Sequence, residues 1–353
     1  MTAPLNSLQV DSHQENFERL WSAFEDACRR KPGTTAEIGI GEWRWRLRFA
    51  DPSLAGALVP ALDHLVVPSE GDPDLEVGLW SWFANGDPFP LLRFDAGDVI
   101  RHGCVRSDDG TIRFVFDSYF HLVIAVDDVN RRALYAVPDA SAIPGWERAA
   151  PLRYLVNSWF AGRGLQMVHA GCLARGERGA LIAGPGGSGK STTSLLASQS
   201  GLFDYLADDY CLVAPSQKAT AYSLFNSAKL HAADLSAFPN LRPHFVIPDR
   251  QADGEKPVVF LSRVSRVRRS CPIDAIYLPE VTDSEETRIH PVPRRRSFEA
   301  IAPSTAEQLL GAEPKNLALI AALAAGVPAF RLELGRDRNQ IPQRLATHLD
   351  SFG

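Results

Sequence analysis

Alternation of apolar and polar residues dominates roughly the first 140 positions of the chain. In "EIGIGEWRWRLRFA", Trp43, Trp45, Leu47 and Phe49 fall on one face and three arginines fall on the other. This period of two residues is typical of a strand with one buried face. Further strand-like runs follow between Gly, Asp, Asn and Pro turn signals, at "LEVGLWSWF", "TIRFVFD", "HLVIAV" and "ALYAV". With a helical stretch, "NFERLWSAFEDACRR", near the start, residues 1–150 are predicted to form a β-rich N-terminal domain with one or two helices.

The pattern changes after a linker near "PDASAIPG". An amphipathic helix is predicted from about residue 151 to 161. Beyond Met167, short apolar strands alternate with helical stretches in the order "MVHAGCLA", "GALIAG", the helix "STTSLLASQSG", "YCLVAP", "AIYL" and a last helix, "NLALIAALAAG". Residues 151–353 are therefore predicted to form a second domain, of the α/β class.

A glycine-rich loop joins one of these strands to the helix that follows it. Residues 184–191, "GPGGSGKS", satisfy the P-loop (Walker A) pattern G-x-x-x-x-G-K-[ST]. Glycines let backbone N–H groups turn inward around a phosphate, and the helix N-terminus adds its positive dipole end. We expect Lys190 to reach the β- and γ-phosphates of ATP, and Ser191 to bind Mg²⁺. The residues predicted to bind the nucleotide are Gly184, Gly186, Gly187, Ser188, Gly189, Lys190, Ser191 and Thr192.

Two adjacent aspartates follow the loop early. Asp208 and Asp209 come eighteen and nineteen residues after Lys190, just before the apolar run "YCLVA". We expect them at a strand end beside the phosphates, where one carboxylate binds metal and the other faces the attacking group. A carboxylate next to a substrate hydroxyl can accept its proton during phosphoryl transfer. The spacing leaves open which aspartate has which role, and an isolated Asp-Asp pair is more often a solvated turn.

A histidine precedes the loop. His169 lies twenty-one residues before Lys190, at the end of a strand that leads toward the loop. A lone histidine is commonly structural. An imidazole hydrogen-bonded to Asp208 would make that carboxylate a more effective base, which makes His169 a candidate catalytic residue.

These three motifs together resemble a known family. His-Ala-Gly, then G-x-x-x-x-G-K-S-T, then L-x-D-D-Y are similar to the catalytic domain of HPr kinase/phosphorylase. A wider pattern, including "PGWERAAPLRYLVNSWFAGRGLQMVHAG" and "IDAIYLPE", resembles HPr-kinase-like proteins of lasso-peptide and related peptide-tailoring gene clusters. The resemblance covers roughly residues 135–350 and is strongest over 165–212.

The resemblance implies a P-loop fold with a mixed sheet, shared by HPr kinase and phosphoenolpyruvate carboxykinase. It implies that His169 and Asp208 assist deprotonation of a hydroxyl, with Lys190 at the phosphates, and that Ser191 and Asp209 support Mg²⁺. The implied reaction is ATP-dependent phosphorylation of a precursor peptide, often at its C-terminal serine. The first domain differs from that of HPr kinases and no HPr-docking region is recognisable, so HPr itself is not the expected substrate.

Three basic residues are weaker candidates for contact with the substrate. Lys229 and Lys256 could each neutralise phosphate charge or hold a peptide carboxylate, although single lysines are usually ordinary surface residues. Arg263 opens the basic run "SRVSRVRRS", which could dock an acidic peptide but is more typical of a solvated face.

Composition limits the classes of function. The formal charge of −5 does not favour a nucleic-acid-binding surface. The five cysteines are scattered and form no CxxC pair, which indicates a reducing compartment. No apolar run suggests a membrane span, and the N-terminal stretch lacks the features of a signal peptide, so we expect a cytoplasmic protein.

The sequence is compatible with four functions. The favoured one is an ATP/Mg²⁺-dependent serine kinase whose partner is a precursor peptide or protein. The alternatives are a small-molecule kinase or phosphotransferase, an ATPase that drives motion, and a nucleotide-binding regulatory protein without catalysis. The sequence leaves the oligomeric state open, a homo-oligomer included.

Overall fold

The computed structural model of the chain describes residues 10–84, 86–95, 99–100, 103–216, 218–246, 256–308 and 314–352. The chain divides into two units, the first formed by residues 1–39, 43–57 and 67–144. The second is formed by residues 40–42, 58–66 and 145–353. Two short segments of the N-terminal half thus belong to the second unit. The fold is mixed α/β and contains several sheets.

A mixed sheet forms the first unit together with helices α1 (His13–Arg30) and α2 (Pro52–Leu58). Its strands are, in chain order, β1 (Thr34–Ile40), β2 (Trp43–Phe49), β3 (Leu75–Ser81), β4 (Val99–Ile100), β5 (Cys104–Arg106), β6 (Ile112–Asp117), β7 (Leu122–Asp127) and β8 (Arg132–Val137). In space the order is β1-β2-β3-β8-β7-β6-β5-β4. The β2–β3 and β3–β8 pairs are parallel, and the successive pairs from β8 to β4 are antiparallel.

Helix α1 packs its apolar face on this sheet. Ser12 and Glu15 form a reciprocal capping box at its start. Phe17, Leu20 and Phe24 are fully buried. A Cβ at Gly78 on β3 would lie 2.7 Å from the Phe24 ring, so the glycine permits the close approach of helix and strand.

The predicted alternation over "EIGIGEWRWRLRFA" is confirmed, but the segment is two strands rather than one. Gly41, with φ +62°, lies in the turn between β1 and β2. Trp45, Leu47 and Phe49 are buried. On the opposite face, Arg44 and Arg46 pair with Glu37, while Arg48 pairs with Glu25 and Glu76.

The helices of the second unit are α3 (Gly145–Ala149), α4 (Arg153–Ala161), α5 (Lys190–Gln199), α6 (Arg295–Gln308), α7 (Pro314–Gly326) and α8 (Gln340–Asp350). Its strands are β9 (Gln166–Val168), β10 (Ala170–Arg175), β11 (Arg178–Ala183), β12 (Asp204–Ala207), β13 (Cys211–Ala214), β14 (Thr220–Ser223), β15 (Ser227–Lys229), β16 (Val258–Phe260), β17 (Ser270–Pro272), β18 (Ala275–Val281), β19 (Arg288–Val292) and β20 (Ala329–Leu334).

These strands form three sheets. A mixed sheet has the order β12-β10-β11-β18-β20-β19, in which β11, β18 and β20 run parallel. An antiparallel sheet has the order β17-β14-β13-β9, and β15 pairs with β16. Helices α5 and α8 cover one face of the mixed sheet through residues such as Ala197 and Leu345. Helices α6 and α7 contribute Ile301 and Leu323 to a second core cluster.

The chain crosses between the antiparallel sheet and the mixed sheet at two neighbouring places. Val168 on β9 faces Cys211 on β13 in the antiparallel sheet. Cys172 on β10 faces Ala207 on β12 in the mixed sheet. The chain therefore passes from one sheet to the other at His169 and passes back across residues 208–210. The register of both pairs brings the two crossings together.

The helices differ from the sequence prediction in two places. The segment "NLALIAALAAG" forms α7, but it is not the last helix, because α8 follows it. Helix α6 was not predicted at all, and it contains Pro303. No helix in the described ranges is long and apolar enough to cross a membrane.

The segment 58–66 is anchored in the second unit through His64. Its Nε2 lies 2.8 Å from Ser223 Oγ, and Arg269 Nε donates to the His64 carbonyl at 3.0 Å. Burial, with the Arg269 charge as a second cause, lowers the pKa of His64 to about 3. The folded protein therefore keeps this imidazole neutral in mildly acidic solution.

This shift predicts a pH-dependent stability. An unfolded histidine takes up a proton near pH 6.5, whereas the folded one does not, so stability falls as the pH falls below that value. The loss reaches up to about 1.4 kcal/mol per pH unit. Urea unfolding at pH 7.5 and 5.5 should show a smaller difference for His64→Gln than for the wild type. A matched change at the exposed His231 should leave the wild-type difference intact, and an equal difference in His64→Gln would contradict the assignment.

Candidate functional site

The phosphate loop lies between a buried strand and a helix, as its sequence predicts. β11 ends at Ala183 and α5 begins at Lys190. Gly187 and Gly189 have φ of +79° and +102°, a region that favours glycine. A Cβ at Gly189 would also lie 2.5 Å from Leu334 Cδ1. The backbone conformation therefore favours glycine at residue 189, and a side chain there would displace the end of the Leu334 side chain.

Other predicted loop residues lie around the same turn. A Cβ at Gly184 would approach Ser188 Oγ to 2.8 Å, whereas Gly186 faces open space. Ser191 and Thr192 are half-buried in the first turn of α5. The positive end of the helix dipole is thus directed at the loop.

Lys190 lies over the loop that precedes it. Its Nζ donates to the carbonyls of Gly184 at 2.8 Å and Pro185 at 3.0 Å, and the residue is 7% exposed. Burial lowers the pKa of Lys190, while Asp209 and Asp208 oppose that shift. The ammonium is thus held against the loop, and its contact with phosphate stays a prediction.

Asp208 is a buried carboxyl with one free oxygen. The residue is 1% exposed, and its Oδ2 accepts a hydrogen bond from the Lys229 backbone at 3.2 Å. Within the described part of the chain, Asp208 Oδ1 is buried without a hydrogen-bond partner. Burial first, and then the neighbouring Asp209 charge, raise the pKa of Asp208 to about 7. Ser191 is close enough to lower this pKa in part.

Asp209 is in a different environment from its neighbour. Lys229 Nζ lies 2.5 Å from Asp209 Oδ2, and His169 Nε2 lies 3.9 Å from Oδ1. Burial acts to raise the pKa of Asp209, but the Lys229 and His169 interactions outweigh it and hold the pKa well below the usual value. Lys229 therefore binds both aspartates, Asp208 through its backbone and Asp209 through its side chain.

His169 lies beside Asp209 rather than Asp208. Its backbone N–H donates to Thr305 Oγ1 at 3.1 Å, and its ring centroid is 5.6 Å from that of Tyr210. The distance of 3.9 Å to Asp209 is too long for a hydrogen bond. The expected imidazole contact with Asp208 is not seen. Nδ1 of His169 is buried and finds no partner among the described residues.

The residues around the loop suit a Mg²⁺ ion whose ligands are mainly phosphate oxygens. No group of three or more His, Cys, Asp and Glu in the described ranges is arranged to hold a metal ion. Mg²⁺ commonly uses one or two protein oxygens together with phosphate oxygens and water. The Ser191 hydroxyl at the start of α5 fits that role. Asp209 turns its oxygens toward Lys229 and His169, and its metal-binding role stays a prediction.

The remaining substrate candidates are exposed. Lys256 is an exposed residue whose charge acts on the pKa of Lys190, so it lies near the loop. Arg263 is exposed at the end of the 3₁₀ turn Leu261–Arg263. Their roles toward a substrate stay predictions.

Two contributors to the site were not singled out from the sequence. A Cβ at Gly171 would lie 2.6 Å from Ser194 Oγ and 3.1 Å from the Asp208 carbonyl. The glycine therefore lets β10 approach both α5 and the aspartates, and the motif His-Ala-Gly could have indicated it. Thr305, which binds the His169 backbone, lies on α6, more than a hundred residues away, and nothing in the local sequence marks it.

Comparisons with known proteins give little further guidance. The sequence matches no protein-family model and no curated protein. Among solved structures, the HPr(Ser) kinase/phosphatase from Coxiella burnetii is similar at 12% identity, with a TM-score of 0.27. That similarity covers 53% of this chain and 95% of that chain. A likeness at this TM-score supports no conclusion about function, and the site is understood from its own residues.

The pairing of Lys229 with Asp209 predicts strong coupling in stability. Lys229→Met leaves a largely buried carboxylate without its counter-charge, which typically costs about 3 kcal/mol. Asp209→Asn leaves the Lys229 ammonium without its counter-charge in the same way. The double variant Lys229→Met/Asp209→Asn should cost clearly less than the sum of the two single changes. Chemical denaturation of the wild type, the two single variants and the double variant gives the free energies of unfolding for this comparison.

Lys256→Met provides the matched control, because Lys256 is exposed. That change should alter stability by no more than about 0.5 kcal/mol. Additive losses in the double variant would contradict a direct ion pair.

Proposed function

We propose that the protein is an ATP/Mg²⁺-dependent kinase that phosphorylates a serine hydroxyl of a peptide or protein. The observation that carries this proposal is the position of a buried carboxylate oxygen without a partner, Asp208 Oδ1, beside the first turn of a phosphate-loop helix. A carboxylate oxygen in this position can accept the proton of a hydroxyl placed beside it. An acceptor hydroxyl needs such a group, because its proton must leave during transfer.

The glycine-rich loop, Lys190 and Ser191 would form the phosphate side of the reaction. The loop N–H groups and the α5 N-terminus would bind the β-phosphate, and Lys190 would lie between the β- and γ-phosphates. Mg²⁺, when bound through Ser191, would neutralise charge on the phosphate oxygens. Preorganised positive charge of this kind contributes most of the catalysis in phosphoryl transfer.

Asp208 would act on the acceptor. The hydroxyl oxygen attacks the γ-phosphorus, the bond from that phosphorus to the β,γ-bridging oxygen breaks, and ADP leaves with the electron pair. The hydroxyl proton passes to Asp208 Oδ1. The raised pKa of Asp208, about 7, suits a group that accepts and then releases a proton at neutral pH.

Asp209, Lys229 and His169 would position this base. The low pKa of Asp209 keeps it ionised, so its negative charge disfavours a second negative charge on Asp208. The Lys229 backbone N–H holds Asp208 Oδ2, which leaves Oδ1 for the acceptor. Lys229 is therefore a positioning residue in this proposal.

The sequence resemblance to kinases of lasso-peptide clusters supports a peptide as the acceptor, with its C-terminal serine as the modified residue. The exposed Lys256 and Arg263 are the residues proposed to contact such a peptide. The nucleotide side of the proposal does not depend on this choice of acceptor.

A transfer assay tests the proposal. Purified protein, Mg²⁺ and γ-labelled ATP should label a peptide that ends in serine and should not label one that ends in alanine. Asp208→Asn should lower the transfer rate by about 10²- to 10⁴-fold while ATP binding is retained. Lys190→Ala should weaken ATP binding itself.

Asp204→Asn, at the start of the strand β12 that precedes Asp208, is the matched control and should transfer at the wild-type rate. Phosphate released at an equal rate with and without peptide would instead indicate an ATPase. Label that enters an added small alcohol but no peptide would indicate a small-molecule kinase. Transfer by Asp208→Asn at the wild-type rate would overturn the assigned base.

A further inference from the structure

A largely buried arginine lies near the transfer groups and has no part in the proposed transfer step. Arg153 is the first residue of α4, and 13% of its side chain is exposed. Its guanidinium carbon lies 4.4 Å from the centre of the Trp146 ring and 4.7 Å from that of the Tyr154 ring. These cation–π contacts hold the side chain in place without satisfying its N–H donors.

The N–H donors of Arg153 are incompletely satisfied by the described residues. Nη2 donates to the Tyr154 hydroxyl at 3.0 Å. Nε is buried and has no hydrogen-bond partner within the described part of the chain. The Glu147 carboxylate lies 3.7 Å from Nε, which is too long for a hydrogen bond. Buried donors of a charged group normally have acceptors, so this guanidinium has room for a ligand that supplies them.

Two contacts place the start of α4 beside the transfer groups. Burial raises the pKa of Tyr210 and the nearby Arg153 guanidinium opposes that shift, so the two side chains are neighbours. The ring centroid of Tyr210 lies 5.6 Å from that of His169. Just before α4, the Ala149 carbonyl accepts a hydrogen bond from Ser227 on β15, the strand that also provides the lysine of the site. A ligand at Arg153 would therefore adjoin the groups that surround the two aspartates.

The charges around Arg153 decide the kind of ligand. A guanidinium binds a carboxylate or a phosphate through two parallel N–H···O bonds. Glu147 is fully buried, accepts the Leu152 backbone N–H at 3.2 Å and balances part of the Arg153 charge. The positive end of the α4 dipole lies at the same place and offsets part of the Glu147 charge. The small excess of positive charge that remains suits a singly charged carboxylate better than a doubly charged phosphate.

We propose that Arg153 binds a carboxylate of the acceptor peptide, so that the protein selects serine hydroxyls with a carboxylate nearby. This proposal rests on the proposed function, because it requires a peptide acceptor beside Asp208. The carboxylate is either the C-terminal group of the modified serine or the side chain of a neighbouring acidic residue. Binding at Arg153 would hold the acceptor at a second point while its hydroxyl lies at Asp208. Arg153 is therefore a specificity-determining residue for the acceptor.

Four peptides that differ in charge near the serine test the proposal. The first ends in serine with a free carboxylate, and the second is the same peptide with a C-terminal amide. The third and fourth are amides in which aspartate or asparagine precedes the serine. In at least one of the two pairs, the wild-type kcat/KM should be about 10- to 100-fold higher for the peptide with the carboxylate. A preference in the first pair identifies the terminal carboxylate as the ligand, and one in the second pair identifies a side chain.

Variants of the arginine assign the preference to its side chain. Arg153→Gln should reduce the preference to a ratio of about one, while calorimetric titration shows wild-type ATP affinity and hence a folded protein. Arg153→Lys keeps the charge without the fork of donors and should retain only part of the preference. Where Arg153→Gln alone does not fold, because Glu147 is left buried without its partner, Glu147→Gln/Arg153→Gln removes both charges and should show the same loss.

Arg163→Gln is the matched control. Arg163 follows the other end of α4 and also lies over an aromatic ring, 3.7 Å from the centre of Trp159. This variant should keep the wild-type preference. Equal wild-type rates within both peptide pairs would overturn the proposal and leave the proposed function standing, as would an unchanged preference in Arg153→Gln. Failure of the wild type to phosphorylate any of the four peptides would overturn the proposed function and this proposal together.

Discussion

The ion pair between Lys229 and Asp209 is the interaction on which the candidate site depends. Two adjacent carboxylates, one buried and one largely buried, repel each other and are costly to ionise together. Lys229 Nζ, 2.5 Å from Asp209 Oδ2, stabilises the charge on that one carboxylate. Asp208 is left with burial and a charged neighbour, and both raise its pKa. One lysine thus makes two chemically identical side chains into groups of different protonation behaviour.

The fold brings these groups together from distant parts of the sequence. His169 lies where the chain passes from β9 to β10, and the aspartates lie where it returns from β12 to β13. Because β9 pairs with β13 and β10 pairs with β12, the two crossings are neighbours. The phosphate loop follows β11, the next strand of the mixed sheet. The site therefore lies at a junction of two sheets, where His169, Asp208 and Asp209 lie at strand ends.

Sequence reasoning succeeded where the signal is local. The strand, loop and helix around residues 184–191 follow from short-range patterns, because a phosphate loop requires glycines at fixed positions. The alternation of apolar and polar residues in β2 is an equally local signal. Helix α6 was not, because Pro303 and a polar surface conceal its periodicity. The hairpin turn at Gly41 was hidden within a continuous alternating run.

Contacts within the site were harder to predict, because they depend on sheet register. The sequence could place Asp208 and Asp209 near the loop, but not say which one faces Lys229. His169 was expected to contact Asp208, but it lies beside Asp209. The pairing register of the strands on either side determines which aspartate it meets. Lys229 looked like an ordinary surface lysine, and only the tertiary structure reveals its contact with both carboxylates.

Titration of the two aspartates tests the central claim most directly. In protein labelled with ¹³C at the aspartate carboxyl carbons, Asp208→Asn and Asp209→Asn assign the two signals. We predict that the Asp208 signal titrates near neutral pH, close to the value of about 7 that burial and Asp209 impose. The Asp209 signal should remain that of an ionised carboxylate throughout the pH range in which the protein is folded. Titration of both signals together, near the ordinary aspartate pKa of about 4, would contradict the account.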